Sequence, residues 1–523
     1  MRKFNVTGLC VPEQDYMVDI SGKLEQIMPL IDGGCYFTIN RARQYGKTTT
    51  LNMLEKTLGS EYICASISFQ GVGDKSFETP QAFCALLMDL ISRALRFTSA
   101  DGAYIDSWVD AGVTDFPMLD RHISRMCIDK KIVLLVDEVD KTSNNKIFLH
   151  FLGLLREKFL MRRAGKDDTF HSVVLAGVYD VKNIKLKIIS DAAEVPAFTE
   201  ERILNSPWNI SVDFDVDMSF SPAEIATMLS DYESDHITGM DIAVMSKAIY
   251  EYTGGYPYLV SRLCKHIDEK LSCDWTQGGA QAAVKIMLSE SNTLFDDIRK
   301  NLENNKKLYD FMYGILITGR NVKFNIDDAV IDIASMYGLI RNADGRAVVA
   351  NRIFELRMVD YFISTESHDS SGKQINGILQ NDIVKEGRFD MELCLRKFAG
   401  QYTELFGKSN AKFFEEHGRL LFLMYLTPLI NGLGFYHIES RLTDLRRMDL
   451  VVDFGRDQFI VELKLWNGDS KHSEAYEQLL GYMRSRNAAE GYLLTFDFRK
   501  NVNKQQRAEW VVFGDGRIFD VVV

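Results

Sequence analysis

The sequence predicts an α/β protein, with a parallel sheet in its N-terminal part and a second α/β region near its C-terminus. Three observations predict this fold class. A β-prone run before Gly46 is followed by leucines at helical spacing, residues 132–136 form a continuous apolar run, and strands alternate with helices as far as Phe214. Buried parallel strands are apolar throughout because helices cover both faces of the sheet. The pattern therefore predicts a doubly wound parallel sheet.

The first strand leads into a sequence typical of phosphate-binding loops. Residues 36–50 read Tyr-Phe-Thr-Ile-Asn-Arg-Ala-Arg-Gln-Tyr-Gly-Lys-Thr-Thr-Thr, which gives a short strand, a polar turn and a helix start. The N–H groups of such a turn converge, and the helix dipole favours an anion there. We expect Lys47 to reach the β- and γ-phosphates of ATP and Thr48 to bind Mg²⁺. Gly46 and Thr49 are predicted to contact the nucleotide as well. The alternative is an ordinary strand, turn and helix with a surface lysine.

The loop departs from the standard pattern at its first position. The first glycine of G-x-x-x-x-G-K-[ST] would stand at position 41, where this chain has Arg41. Arg41 and Arg43 add two cations to the loop. We therefore expect the loop to hold phosphate partly through these two side chains.

The apolar run at residues 132–136 ends in two acids, Asp137 and Glu138. Asp137 suits a Walker B role in the Mg²⁺ shell, and Glu138 suits a base that orients the attacking water. The alternative is a core strand with a solvated acidic end. The two motifs in this order predict an ATPase-type site.

Several other residues are candidates for contacts to the nucleotide. Residues 172–178 are predicted to form the strand beside Walker B, and Tyr179 or Asp180 at its end would sense the γ-phosphate. Tyr16 or Val11 could form a wall for adenine, although a surface turn is an equal alternative. The helix predicted for residues 147–163 contains three arginines, Arg156, Arg162 and Arg163. One of them could reach the nucleotide of a neighbouring subunit, or the three could form a solvated basic face.

Composition limits the classes of function. The formal net charge of -12 and the pI of about 5.4 exclude a protein that coats nucleic acid through bulk charge, so any such contact needs a local basic patch. The 8 cysteines never form C-x-x-C, which predicts thiols in a reducing compartment and no zinc site. The N-terminus lacks the apolar region of a signal peptide, and no run of about 18 apolar residues is present. We expect a cytoplasmic protein without a membrane span.

The chain is predicted to divide into five segments. A P-loop ATPase core is followed by a lid of helices, a winged-helix-like module of helices and a hairpin that packs against protein, a polar linker, and a second α/β domain. Ser221-Pro-Ala-Glu marks the start of the first lid helix, and Asp344-Gly345 marks the hairpin turn. The predicted boundaries are 1–218, 219–300, 301–363, 364–377 and 378–523.

The C-terminal segment contains a second set of candidate residues. Residues 447–454 form a strand led by Asp449, and residues 459–466 form its hairpin partner. Alternation along the second strand puts Glu462 and Lys464 on one face. Carboxylates at Asp449 and Glu462 could bind Mg²⁺, while Lys464 positions or activates water for phosphodiester hydrolysis. The alternative is an amphipathic hairpin with its charged residues on a solvated face.

The residues around this hairpin add possible ligands. Glu415 or Glu416, in the preceding helix, could supply a further metal ligand, and Gln478, in the following helix, could contact the substrate backbone or water. Local positive charge suited to a phosphate backbone comes from Arg441, Arg446, Arg447 and Lys471.

The motifs resemble those of a known arrangement. Residues 41–48 resemble the Arg-Pro-Arg-Arg-Phe-Gly-Lys-[Ser/Thr] loop of the bacterial predicted AAA-like ATPases, a family that also lacks the first glycine. Asp137-Glu138 and Gly254-Gly-Tyr-Pro257 are similar to its Walker B and lid signatures. The C-terminal part resembles the PD-(D/E)XK nuclease superfamily, which has a restriction-endonuclease-like fold and is often fused to such ATPases. That resemblance implies that Asp449, Glu462 and Lys464 match the core motif and Gln478 the helix motif.

Two hypotheses follow from these motifs. The first is an ATP-regulated, Mg²⁺-dependent nuclease acting on nucleic acid, with a role in defence against mobile elements by analogy. The second is a STAND-type switch in which the ATP state controls assembly of several copies, and the C-terminal domain binds a partner or DNA without cleaving it.

Overall fold

The structure is a computed structural model of the 523-residue chain. The residues that it describes are 2–59, 61–98, 100–109, 112–142, 146–178, 208–317, 320–369, 383–385, 388–406, 415–430, 434–440, 448–455, 457–466, 468–497 and 507–523. The chain divides into two compact units. The first comprises Met1–Leu294, Asp332–Ile340 and Val349–Ile353, and the second comprises Phe295–Ile331, Arg341–Val348 and Phe354–Val523.

The first unit is built on a parallel sheet, as predicted. Its strands are β1 (Tyr36–Asn40), β2 (Ile63–Ser68), β3 (Ile132–Asp137) and β4 (Ser172–Gly177). They lie in the order β1-β4-β3-β2, and each neighbouring pair is parallel. Every residue of β3 and β4 is buried. The strand predicted beside Walker B is therefore confirmed: β4 lies between β1 and β3.

Six helices accompany this sheet in the described part of the unit that precedes residue 179. They are α1 (Ser21–Asp32), α2 (Lys47–Leu58), α3 (Pro80–Leu95), α4 (Gly102–Val109), α5 (Phe116–Cys127) and α6 (Lys146–Arg163). Thr79 and Asp115 cap α3 and α5, each followed by a proline in the first turn. Phe83 of α3 and Phe151 of α6 belong to an apolar cluster that these helices share with β2, β3 and β4.

Four helices form the region predicted as a lid. They are α7 (Pro222–His236), α8 (Ile242–Thr253), α9 (Pro257–Lys270) and α10 (Gln277–Ser289). The helix start predicted at Ser221 is confirmed, and Ser221 forms a capping box with Glu224. Between α8 and α9, Gly254 and Gly255 have φ values of 56° and 74°. A Cβ added at Gly255 would overlap the carbonyl oxygen of Phe220, so glycine is required there.

The predicted helix–helix–hairpin order is also present. The predicted elements are α12 (Lys306–Leu316), α13 (Ala329–Met336), β5 (Ile340–Ala343) and β6 (Arg346–Val349). They are preceded by α11 (Thr293–Asn304), which begins inside the segment predicted as the lid, and followed by α14 (Arg352–Asp369). Asp344 and Gly345, both with positive φ, form the hairpin turn. Its assignment as a winged helix stays a prediction.

The predicted linker requires a correction at its start. Residues 364–369 continue α14, and residues 370–377 lie outside the described part of the chain. Ser364 and Thr365 both direct their hydroxyls to the carbonyl oxygen of Tyr361, at 2.8 and 3.0 Å. These polar side chains bond back onto the preceding turn, which helices tolerate, and composition alone therefore suggested the wrong element.

The C-terminal part is a six-stranded mixed sheet between helices. Its elements are β7 (Val384–Lys385), β8 (Arg388–Phe389), α15 (Met391–Phe406), α16 (Glu415–Ile430), β9 (Gly434–Ser440), β10 (Met448–Phe454), β11 (Asp457–Leu465), α17 (Asp469–Ser485), β12 (Glu490–Phe496), β13 (Arg507–Phe513) and β14 (Gly516–Val522). The strand order is β13-β14-β12-β11-β10-β9. β10 and β11 form the predicted antiparallel hairpin, whereas β11, β12 and β14 are parallel.

Helix α17 packs on one face of this sheet. Ile460, Leu493 and Ile518, from three adjacent strands, join Leu479 and Met483 of α17 in one apolar cluster. Phe496 contacts Phe398 and Tyr402 of α15 on the opposite face. Because side chains alternate along a strand, Glu462 and Lys464 lie on the same face as Ile460, beneath α17. No helix in the described ranges is long and apolar enough to span a membrane.

Candidate functional site: the phosphate loop and the C-terminal sheet

The loop between β1 and α2 curves around the side chain of Lys47. Gly46 has a φ of 78° and precedes the first helical residue. The Lys47 ammonium donates hydrogen bonds of 2.9 Å to the carbonyl oxygens of Arg41 and Ala42. Burial lowers the pKa of Lys47, and the acids Asp140, Glu138 and Asp137 oppose this shift. The lysine is therefore a desolvated cation at the N-terminus of a helix, where an anionic phosphate would be stabilised.

The predicted Mg²⁺ ligands of the first unit lie together. Thr48 Oγ1 donates a 2.7 Å hydrogen bond to Asp137 Oδ2. The other oxygen, Asp137 Oδ1, accepts the backbone N–H of Glu138 at 2.9 Å, which fixes the carboxylate. A hydroxyl and a carboxylate oxygen are ligands that Mg²⁺ prefers, so the residues present fit this ion.

Glu138 has an unusual backbone conformation, with a φ of 56°. Non-glycine residues rarely adopt this region, and such residues cluster at functional sites. Two residues later, Asp140 Oδ2 accepts the N–H of Val178 at 2.6 Å. A Cβ added at Gly177 would lie 2.7 Å from Val139 and 2.8 Å from Asp140. Asp140, which sequence reasoning did not select, thus fastens the turn after β3 to the end of β4. In the sequence, the only indication of this role was that Asp140 lies two residues after Glu138. Tyr179 and Asp180, the predicted sensors of the γ-phosphate, lie outside the described residues.

The Arg41 guanidinium bonds to backbone carbonyls outside residues 41–48. It donates hydrogen bonds of 2.7 Å to the carbonyl oxygens of Asn40 and Val216, and its guanidinium carbon lies 5.5 Å from the ring centroid of Phe214. Burial lowers the pKa of Arg41. Arg43 is exposed, and its carbonyl oxygen accepts the hydroxyl of Tyr256. Contacts of Arg41 and Arg43 with phosphate stay predictions.

A cavity of about 230 Å³ opens beside the loop. Its lining includes Tyr16 and Val18 from the N-terminal segment, Thr49 from α2 and Tyr258 from α9. Thr49 Oγ1 accepts the backbone N–H of Cys10 at 3.3 Å. Of the two residues suggested as an adenine wall, Tyr16 lines this cavity, whereas Val11 is not among the lining residues. The predicted base-binding role of Tyr16 remains a prediction.

The arginines of α6 differ in their surroundings. Arg162 donates hydrogen bonds to the carbonyl oxygens of Phe170 and His171 at 2.5 Å and of Gly34 at 2.6 Å. Its guanidinium thus ties α6 to the chain before β1 and β4. Arg163 is exposed and Arg156 is partly buried. That one of these arginines reaches the nucleotide of a neighbouring subunit stays a prediction.

In the C-terminal sheet, Glu462 and Lys464 are 2% and 4% exposed. The alternative of a solvated charged face is therefore wrong. The Lys464 ammonium pairs with Glu462 Oε1 and donates a 2.9 Å hydrogen bond to Gln478 Oε1 of α17. Burying charges is costly unless they are paired and hydrogen-bonded. The structure thus brings together three of the four residues predicted at this site.

Asp449 lies in β10, and its side chain is outside the described residues. Leu450 pairs with Val461, so Asp449 and Glu462 are the next residues along the two strands of the hairpin. A carboxylate on each strand fits an oxygen-ligated Mg²⁺. Among side chains that the structure describes, no group of three or more His, Cys, Asp or Glu could hold a metal ion.

The other residues suggested around the hairpin are only partly described. The side chains of Glu415 and Glu416 are outside the described set, as are Arg441, Arg446 and Arg447 in full. Lys471 is exposed on α17.

Two polar features on the α17 face were missed by sequence reasoning. Asp520 is fully buried and accepts hydrogen bonds from His472 Nε2 at 2.9 Å and Tyr476 at 2.5 Å, and it pairs with Arg507. Thr495 is fully buried in β12. A polar residue inside an apolar strand was the available signal in both cases.

Two family models match the chain, one over each of the regions that carry the candidate residues. A family model described as "AAA-like domain" matches residues 18–362, and one described as "PD-(D/E)XK nuclease superfamily" matches residues 433–508. No curated protein matches the chain.

Similar solved structures include three archaeal proteins. The Walker-type ATPase PABY2304 of Pyrococcus abyssi is 11% identical, with 68% of this chain and 99% of that chain covered and a TM-score of 0.47. The ORC2 protein of Aeropyrum pernix in ADPNP–ADP complexes is 13% identical, with coverage of 70% and 98% and a TM-score of 0.34. The ORC1 protein of Aeropyrum pernix in complex with DNA is 12% identical, with coverage of 67% and 94% and a TM-score of 0.29.

Proposed function

The chain belongs to the AAA-like domain family over residues 18–362 and carries a PD-(D/E)XK nuclease-superfamily domain, and from this premise we propose that it binds and hydrolyses ATP to regulate a Mg²⁺-dependent nuclease. The first unit would bind the nucleotide, and the C-terminal sheet would bind nucleic acid. Gly46, Thr49, Arg41 and Arg43 would also contact the nucleotide.

The ATPase half rests on one hydrogen bond, that of Thr48 to Asp137 at 2.7 Å. It joins the phosphate loop to the end of β3, so that the two residues could share one Mg²⁺. Bound Mg²⁺ would neutralise charge on the β- and γ-phosphates. Lys47 would bind the same phosphates, and Glu138, directly after Asp137, would orient the attacking water.

The nuclease half rests on the buried group Glu462, Lys464 and Gln478. Glu462 and Asp449 would hold Mg²⁺, which supplies neutralisation of charge on the phosphoryl oxygens. Lys464 would position or activate the attacking water, and Gln478 holds its ammonium by the 2.9 Å hydrogen bond. A buried lysine held at a fixed point is suited to this task because positioning removes much of the entropic barrier.

Regulation is supported by contacts on the outer side of the phosphate loop. Gln44 Nε2 donates a 3.0 Å hydrogen bond to Thr293 Oγ1, the first residue of α11, and Tyr45 OH lies 2.7 Å from Ser219 Oγ. A Cβ added at Gly338 would lie 3.0 Å from Ala42. Phosphate binding inside the loop would shift these contacts. Helix α11 continues in sequence into the second unit, so a shift at Thr293 would act on a helix to which both units contribute residues.

The test is incubation of the purified chain with supercoiled plasmid and Mg²⁺, with and without ATP. Wild type should cleave, Lys464→Ala should not, and Lys47→Ala should cleave without responding to ATP. Single-stranded RNA is offered in parallel as a second substrate. Equal cleavage by wild type and Lys464→Ala would remove the nuclease assignment, because the activity would then come from a contaminant.

A second candidate is a STAND-type switch that assembles on ATP and does not cleave. The same contacts of Gln44 and Tyr45 favour it, because they connect the loop to the lid and α11 whatever the C-terminal domain does. It predicts a larger mass by light scattering with ATP, lost in Lys47→Ala, and no cleavage of DNA or RNA. An unchanged mass with ATP would exclude it.

The proposal places the protein in the cytoplasm and, by analogy with ATPase–nuclease fusions, in defence against mobile elements. All eight cysteines are free thiols, which suits a reducing compartment. A plaque assay with cells carrying wild type or Lys464→Ala tests the defence role. Equal plaque numbers would contradict it.

A further inference from the structure

A buried hydroxyl lies next to the lysine of the C-terminal site. Thr495 is 0% exposed in β12, and within the described residues its Oγ1 has no hydrogen-bond partner. In the parallel pairing of β11 and β12, Thr495 is the direct partner of Lys464. The two residues are therefore neighbours across adjacent strands.

Thr495 points to the face on which Lys464 lies. Leu493, two residues earlier, packs with α17, and a Cβ added at Gly491 would lie 2.7 Å from Met483 of the same helix. Alternation along β12 puts Thr495 on this face. Glu462 and Lys464 occupy it on β11, since Gln478 of α17 reaches Lys464.

A hydroxyl in this place needs an explanation. Buried polar groups in native proteins are nearly always hydrogen-bonded, and those that are not often have a functional reason. Valine has almost the same shape and would fill the space without burying a polar atom. A threonine hydroxyl can accept hydrogen bonds with two lone pairs, and an ammonium has three donors.

The ion pair between Lys464 and Glu462 gives a reason for the buried hydroxyl of Thr495. Its ammonium pairs with Glu462 Oε1, the carboxylate assigned to Mg²⁺. If Glu462 bound the metal ion through both of its oxygens, the ion would compete with Lys464 for Oε1. Gln478 Oε1 remains as one partner, and Thr495 Oγ1 is the buried acceptor on the adjacent strand.

We propose that Thr495 is a positioning residue of the nuclease site, whose hydroxyl accepts a hydrogen bond from Lys464 when Glu462 binds Mg²⁺. This inference rests on the proposed nuclease function. It assigns Thr495 a role through Lys464, so that the lysine stays in place in the metal-loaded state. Mg²⁺ affinity then depends on Thr495 although Thr495 is not a ligand.

The experiment is titration calorimetry of Mg²⁺ with the full chain, with Glu462→Gln to define the binding that belongs to this site. Thr495→Val should weaken the Glu462-dependent affinity about three- to tenfold, the worth of one hydrogen bond, and Thr495→Ser should retain it. Thermal unfolding should show that Thr495→Val melts no lower than wild type. If the valine variant is unstable, Thr495→Ala, which also removes the hydroxyl, replaces it in this titration and in the double-mutant cycle.

A double-mutant cycle separates positioning from packing. In a Lys464→Met background, Thr495→Val should leave the Mg²⁺ affinity unchanged, because no ammonium needs the hydroxyl. Equal Mg²⁺ affinity of wild type and Thr495→Val would overturn this inference and leave the nuclease proposal standing. The same would follow if Thr495→Val weakened Mg²⁺ binding as strongly in the Lys464→Met background as in the wild-type background. Wild type without any Glu462-dependent Mg²⁺ binding would overturn the nuclease proposal and the inference with it.

Discussion

Thr48 and Asp137 are joined by a 2.7 Å hydrogen bond although 89 residues separate them in the sequence. Thr48 stands in the first turn of α2, and Asp137 is the last residue of β3, two strands away from β1 in the sheet. The parallel order β1-β4-β3 places both at the carboxyl edge of the sheet. In open α/β sheets ligands bind at this edge, because the strands end and the helices begin there.

Replacement of Glu138 should separate ATP binding from hydrolysis. Glu138→Gln keeps the size of the side chain and removes its charge, so water is no longer oriented by a carboxylate. We expect nucleotide affinity close to wild type and a phosphate-release rate lowered about 100-fold or more. The control is Glu157→Gln, an exposed glutamate on α6. A Glu138→Gln protein that hydrolyses ATP at the wild-type rate would contradict the assignment.

Gln478 should affect cleavage through its bond to Lys464. Gln478→Ala removes the 2.9 Å acceptor of the lysine ammonium, and we expect plasmid cleavage to fall about tenfold, as for the loss of one well-oriented hydrogen bond to a charged group. Glu477→Ala, at the exposed neighbouring position of the same helix, should cleave as wild type does. The same initial rate for all three proteins would remove Gln478 from the site.

Gly255 should tolerate no side chain. Its φ is 74°, and an added Cβ would overlap the Phe220 carbonyl oxygen and lie 2.8 Å from the Phe220 nitrogen. Gly255→Ala should therefore lower the free energy of unfolding by at least about 2 kcal/mol, the sum of left-handed strain and displacement of a hydrogen-bonded backbone.

Gly239→Ala is the matched control for this prediction. Its φ is 76°, and nothing lies within 4 Å of an added Cβ. It should cost only the left-handed strain, about 1 kcal/mol. Urea unfolding measures both variants, and equal losses would show that the contact with Phe220 adds nothing.

Asp360 should make the stability of the second unit depend on pH. Burial raises the pKa of Asp360 to about 6, although Arg357 and a hydrogen bond from Tyr436 oppose the shift. The unfolded pKa is about 3.9. Between these values the folded state holds more protons than the unfolded state, so stability falls as pH rises from about 4 through 6.

Asp360→Asn should remove this dependence. At pH 7 the variant should be more stable than wild type by about 2 kcal/mol, because a buried carboxylate no longer has to ionise. At pH 4, where Asp360 is protonated when folded, the difference should be small and serves as the internal control. Urea unfolding at several pH values gives the comparison, and a difference that is constant from pH 4 to pH 8 would contradict it.

Local patterns in the sequence determined the elements that carry the candidate sites. The apolar run ending in Asp137, the Gly-Lys-Thr turn and the alternation around Glu462 each lie within one strand or one turn, where periodicity reports secondary structure directly. The lid capping box at Ser221 and the hairpin turn at Asp344 were identified for the same reason. Family membership followed from these short motifs because they combine residue type with spacing.

Only the tertiary structure decided which distant residues meet and which charges are buried. Separate segments of the chain are joined by the hydrogen bonds of Arg41 to Val216 and of Val178 to Asp140. Strand register likewise places Lys464 beside Thr495. No local periodicity encodes such pairs, because strand order and crossovers determine them. Burial of Glu462 and Lys464 likewise depends on α17 covering the sheet, and it turned an apparent solvated hairpin face into an enclosed polar site.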